Sequence, residues 1–93
     1  MAREDIRELY RELVDSEFKF VPRGEQSIEV IYQQVQLRYP HLCDDDYLCV
    51  QNCQGAWEHL PEWQHAVRRA LDRLKRISGS VLKGNRRGEW ILR

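Results

Sequence analysis

The chain has 93 residues, 42% of them hydrophobic and 32% charged, with fifteen Lys/Arg balanced by fifteen Asp/Glu. That is the length and composition of one globular domain with a small core. No apolar run approaches the ~18–20 residues needed to cross a bilayer, and the charged N-terminus lacks the apolar stretch of a signal peptide, so a cytoplasmic location is expected.

Arg3 to Asp15 reads as a helix. Ile6, Leu9, Tyr10, Leu13 and Val14 fall on one stripe, with the spacing of an amphipathic helix. Glu and Arg fill the other face, where Glu4–Arg7 and Glu8–Arg11 are spaced to pair. This face reads as simply solvated. Phe18, Phe20 and Val21 alternate with Lys19 up to Pro22-Arg23-Gly24. The alternation predicts a short edge strand, the alternative being an apolar linker across the core. Gly24 to Tyr39 reads as the second helix, capped by Ser27 or Gly24 and stopped by Pro40. Ile28, Ile31, Tyr32, Val35 and Tyr39 form its stripe. Val30 and Leu37 lie off it, which predicts burial on more than one side.

Asp44-Asp45-Asp46 reads as the capped start of a short helix through Tyr47, Leu48 and Val50, breaking at Gln51–Gly55. Pro61 opens the third long helix, which runs to Ile77 and ends at Ser78-Gly79. Trp63, Val67, Ala70, Leu71, Leu74 and Ile77 cover one side. His65, Arg68, Arg69, Asp72, Lys75 and Arg76 cover the other, with Gln64 and Arg73 at the margins. A strand (Ser80–Lys83), a charged turn (Gly84–Gly88) and a closing strand (Glu89–Arg93) complete a hairpin. Two glycines and an asparagine in that turn are expected to supply its φ > 0 positions.

The neutral total hides a split. Residues 1–60 hold six bases and twelve acids, net −6; residues 61–93 hold nine bases and three acids, net +6. Such a dipole favours a polyanion at the C-terminal third. A basic helix followed at once by a basic hairpin is how a winged helix meets nucleic acid. The expected fold class is therefore α+β, a winged helix-turn-helix with three main helices plus a C-terminal β-hairpin wing, in a single domain over 1–93. Gln64, His65, Arg68 and Arg69 would touch bases. Lys75, Lys83, Arg86 and Arg87 would bind phosphates. The expected partner is double-stranded DNA.

The run PEWQHAVRRALDRLKRISGSVLKGNRRGEWIL, preceded by CDDDYLC, resembles the winged-helix modules at the N-terminus of Mrr-type restriction endonucleases. AVRRALDRLKR is similar to their third helix and RRGEWIL to their wing strand. The resemblance covers roughly the second half of the chain. It implies a DNA-reading accessory domain without catalysis of its own, often joined to a nuclease domain in a longer parent chain, in restriction-modification or a related regulatory role.

Other chemistries are weaker in the sequence. His41, Cys43, Cys49, Cys53 and His59 lie close together, yet only Cys49-x3-Cys53 has a zinc-like spacing, and buried thiols are the simpler reading. No cofactor or metal is expected. No signature joins a cysteine to His59 or His65 as a nucleophile pair. The acidic triplet has no lysine beside it for a nuclease centre. The turn Gly84 to Gly88 is too short and too basic for a Walker loop. Trp57, Trp63 and Trp90 read as packing residues, with Trp57 the best candidate for a flipped-base pocket. A rival reading is a protein-docking winged helix that uses the acidic half with Tyr47, Trp57 and Leu60; it predicts an exposed apolar patch.

Overall fold

The computed structural model describes residues 3–49 and 60–93. In chain order it contains α1 (Arg3–Ser16), β1 (Gly24–Ser27), α2 (Ile28–Arg38), a single 3₁₀ turn (Pro40–Leu42), α3 (Glu62–Ile77), β2 (Val81–Lys83) and β3 (Glu89–Leu92). The fold is α+β: among the described residues, three helices and a small antiparallel sheet of order β1-β3-β2. No helix among the described residues is long and apolar enough to cross a membrane.

The apolar stripe of α1 buries Ile6, Leu9 and Leu13 against α3, its main packing partner. From α3 come Trp63, Ala66, Val67, Ala70, Leu71 and Leu74. Ala66 belongs to this buried face although its small side chain gives a weak hydropathy signal. Ile77, assigned to the stripe from sequence, is 61% exposed. It stands on the last turn, beyond Leu74, the last buried residue of α3.

The Phe18–Val21 segment is not a strand. The chain leaves α1 through two left-handed residues, Glu17 (φ 52°) and Phe18 (φ 55°), a conformation that costs an L-residue ~1–2 kcal/mol. The turn drops Phe18 and Val21 into the core, fully and almost fully buried. Burying Phe18 and Val21 together returns roughly 3–6 kcal/mol, enough to offset the ~2–4 kcal/mol of two such residues. This is the apolar crossing that was the alternative to a strand. Arg23 holds the turn: its guanidinium donates to the carbonyls of Phe18 and Val21, and Nη1 donates to the carbonyl of Arg93 at 3.2 Å.

The strand that pairs with the hairpin is instead Gly24–Ser27, read from sequence as the start of the second helix. Gly24 pairs with Leu92, Glu25 with Ile91, Gln26 with Trp90 and Ser27 with Glu89. Gly24 takes φ 100°, open only to glycine at low cost. Ser27 then caps α2: its Oγ accepts from the Val30 N–H at 3.3 Å. The Ile28 N–H donates to the carbonyl of Gly88 at 2.7 Å, so the hairpin turn satisfies a second donor at the start of α2. Ile28, Ile31 and Val35 face the core, with Val30 half-buried. Leu37 is 76% exposed, so the expected burial of α2 on more than one side does not extend to it.

The acidic triplet does not start a helix. Asp44 Oδ1 accepts from the Asp46 N–H at 2.9 Å, closing a turn, and the chain then extends. Cys49 N–H donates to the Leu60 carbonyl at 2.8 Å, and Glu62 N–H to the Tyr47 carbonyl at 2.9 Å. The two sides of the 50–59 stretch are thus paired at their base. The expected break at Gln51–Gly55 and the role of Trp57 lie outside the described residues, as do Val50, Cys53 and His59.

β3 is the central strand. Trp90 and Leu92 point inward, while Glu89 and Ile91 are half-buried. On its other side Val81, fully buried, pairs with Leu92, Leu82 with Ile91 and Lys83 with Trp90.

Candidate nucleic-acid interface

With six α3 side chains in the core, the remaining arc carries Gln64, His65, Arg68, Arg69, Asp72, Arg73, Lys75 and Arg76. Its two edges differ. Arg68, half-buried, faces α2: Nε donates to Tyr32 Oη at 2.6 Å. The Tyr32 ring in turn stands edge-on to Trp63, centroids 5.4 Å apart and planes at 76°. Trp63 Nε1 donates to Asp45 Oδ1 at 2.8 Å. Arg68 is therefore tied into the scaffold as well as placed on the polar arc. Burial raises the Tyr32 hydroxyl pKa, and the Arg68 hydrogen bond only partly opposes it, so the hydroxyl stays neutral.

His65 sits one turn before Arg68 and Arg69. Its Nε2 is shielded from solvent and has no hydrogen-bond partner among the described residues. Desolvation lowers its pKa below the usual 6.5; Glu62 pulls the other way, and Arg69 and Arg68 push it lower still. The imidazole is thus held neutral between two guanidinia. Farther along the arc, Asp72 accepts a hydrogen bond from Arg76 and lies 3.9 Å from Lys75 Nζ. Two of the bases at this end are partly neutralised within the helix.

The hairpin turn exposes Arg86 and Arg87. Gly84 N–H donates to the Glu89 carbonyl at 2.8 Å and Glu89 N–H to the Arg86 carbonyl at 3.1 Å. Among the described turn residues only Gly88 takes positive φ, 80°; Asn85 does not. Gly84 is needed for space instead, because a Cβ there would sit 2.7 Å from the Glu89 Cβ. Lys83 extends over the Trp90 ring, Nζ 4.4 Å from its centre, a cation–π contact.

At the other edge of α3, Arg69, expected at the interface, and Arg73, expected at its margin, meet two α1 residues that the sequence pattern did not mark. Arg69 and Arg73 line a groove of about 680 Å³ together with Arg7 and Arg11 of α1, over Ile6, Tyr10 and Val14. All four arginines are exposed. The expected Glu4–Arg7 and Glu8–Arg11 ion pairs do not form; among the described residues, the salt bridges are those of Asp72. The every-fourth-residue repeat of Arg3, Arg7 and Arg11 was the signal available in the sequence.

Among the described residues no three His, Cys, Asp or Glu side chains gather as ligands; Cys53 and His59 lie outside them. Cys43 is buried, with its thiol 3.9 Å from the Val35 carbonyl.

Compared with family models, curated proteins and solved structures, the chain matches none.

Proposed function

We propose that the chain is a winged-helix module that binds double-stranded DNA and performs no catalysis. In this reading α3 enters the major groove and the β2–β3 hairpin is the wing. The observation that carries it is the element order helix–strand–helix–helix–strand–strand, with β1 laid beside β3 and a basic arc on the third helix directly before the hairpin. Gln64, His65, Arg68 and Arg69 lie at the N-terminal half of α3, where a helix in the major groove meets base edges. In this reading Lys75, Lys83, Arg86 and Arg87 would bind phosphates. The likeness of the 61–92 run to Mrr-type modules suggests target recognition for a restriction or modification-dependent nuclease, or a related regulator.

Among the described residues the exposed large apolar side chains are Leu37, Leu48 and Ile77, on α2, on the loop before α3 and on its last turn, and isolated exposures of this kind are ordinary.

The test is a gel shift on random, methylated and hydroxymethylated duplexes at two salt concentrations. The wild-type protein is expected to bind, more weakly at high salt. Reversing charge at Arg86 and Arg87 together should weaken binding and flatten its salt dependence by a log–log slope of about 1.8, for two phosphate contacts. Unchanged affinity in that variant removes the wing from the interface.

A further inference from the structure

α1 carries two rows of opposite charge. Arg3, Arg7 and Arg11 recur every fourth residue and stack along one line. Glu4, Glu8 and Glu12 form the adjacent line, about 100° around the helix. The acids could have neutralised the arginines within the helix. Instead Arg7 and Arg11 stand on the groove opposite Arg69 and Arg73 of α3, themselves four residues apart. Ile6, Tyr10 and Val14 beneath them offer apolar surface to the long arginine stems and leave the guanidinium heads at the rim. Among the described residues Asp15 is the only acid on the groove lining. Among the described residues, no carboxylate pairs with any of the four arginines. Like charges set across a groove repel, and an anion between them turns that repulsion into attraction.

The position of the groove narrows the choice of anion. The Arg68 edge of α3 faces Tyr32 of α2, and the first residue of α2 touches the wing at Gly88. The Arg69–Arg73 edge faces α1, away from that contact. An α-helix with its side chains is about 10–12 Å across, and the major groove is about 12 Å wide. A helix seated there has a phosphate strand along each edge. The arginines on both helices repeat at roughly 6 Å along the axis, and the planar guanidinium fork suits phosphate oxygens.

We infer that the α1–α3 groove is a second phosphate-binding surface. In it Arg7, Arg11, Arg69 and Arg73 grip the DNA strand on the side of α3 opposite the wing, Arg69 serving that strand in place of a base edge. The inference rests on the DNA-binding reading and adds α1 to the interface.

The experiment is a fluorescence-anisotropy titration of a 25-base-pair duplex from 50 to 200 mM KCl. It compares the wild type with R7Q/R11Q, with the wing variant R86E/R87E, and with K19Q/R38Q, which removes the same charge outside the groove. Arg7 and Arg11 are exposed, so R7Q/R11Q should melt like the wild type. Its log–log salt slope should fall by about 1.8. The wild type then loses about tenfold more affinity than this variant over that salt range. K19Q/R38Q should change the slope by less than half as much. Equal slopes in the wild type and R7Q/R11Q, or equal changes in R7Q/R11Q and K19Q/R38Q, overturn the groove. If R86E/R87E still weakens binding in that case, the DNA-binding reading survives without it. A wild type that binds no duplex removes both. Binding of poly-L-glutamate in place of duplex, lost in R7Q/R11Q, assigns the groove to an acidic polypeptide and overturns the proposal.

Discussion

Arg68 donates its Nε–H to the Tyr32 hydroxyl at 2.6 Å, and its guanidinium carbon lies 5.9 Å from the centre of the same ring. One side chain therefore joins the polar arc of α3 to the middle of α2. Tyr32→Phe removes the acceptor and keeps the ring against Trp63. The expected cost is about 1 kcal/mol, discounted from the value for a buried charged hydrogen bond because both groups are partly exposed. For a domain of this size that lowers Tm by about 4–8 °C. The pair should be coupled: Y32F/R68Q should lose no more stability than the worse single variant, and urea melts of the four proteins in this cycle check it. Additive losses mean that the contact contributes nothing in solution.

Asp45 holds the indole of the buried Trp63 from the loop side. Asp45→Ala leaves a shielded N–H unpaired, with an expected loss of about 1–2 kcal/mol. Asp45→Asn keeps an acceptor oxygen and should retain most of the stability. If the two variants melt alike, the indole N–H finds another acceptor.

The two long amphipathic helices were legible in the sequence because their apolar residues repeat with helical spacing and the core sits on that side. Ile77 broke the pattern only because the core ends before the helix does. Phe18 to Val21 alternates like a strand, but alternation records which side chains are apolar and not the backbone that carries them. Here two left-handed residues turn both Phe18 and Val21 inward. β1, Gly-Glu-Gln-Ser, shows no strand pattern, since an edge strand can be held by its ladder to β3 without an apolar face of its own. Of the candidate site, the α3 arc and the turn arginines were readable from helical position and charge. Arg7 and Arg11 were hidden by adding charge along the chain: they lie in its acidic two-thirds, and only packing brings them to Arg69 and Arg73.

Gly84→Ala should open the wing. The added Cβ would lie 2.7 Å from the Glu89 Cβ and 3.0 Å from the Glu89 carbonyl carbon and oxygen, so backbone must move. Crowding of this kind costs about 1–3 kcal/mol. It also strains the Gly84 N–H to Glu89 carbonyl bond that closes the hairpin. The expected result is a lower Tm together with faster amide exchange at Gly84 and Glu89. Unchanged exchange at both amides contradicts the hairpin register.

Cys43 should be a slow thiol. Burial pushes its pKa up to about 12, and the neighbouring Asp45 adds to the rise. At pH 8 roughly one molecule in ten thousand would then carry a thiolate there, and the thiolate is the species that reacts. In a C49S/C53S variant, alkylation by iodoacetamide should be far slower than for a free cysteine and should recover that rate in denaturant. Fast labelling of the native protein means that Cys43 is open to solvent.

His65 gives the fold a pH dependence with a definite sign. Its folded pKa lies below the unfolded value of 6.5, chiefly because burial disfavours the charged ring, with Arg69 and Arg68 adding to the effect against Glu62. Between the two values the unfolded chain binds more protons, so acid favours unfolding. The contribution of His65 is flat above about pH 7.5 and falls as the pH drops through 6.5. It levels off again below the lowered folded pKa, where both states are protonated. His65→Gln removes this component and leaves the other titrating groups in place. The difference between wild-type and H65Q urea stabilities, measured from pH 5 to 8, should therefore shift against the wild type as pH falls. A duplex phosphate beside the ring would favour its protonated form, so in the DNA-binding reading the wild type should take up protons on binding near pH 6 and H65Q should take up fewer. Calorimetry in two buffers of different ionisation enthalpy reads that uptake, and equal uptake by both proteins removes His65 from the interface.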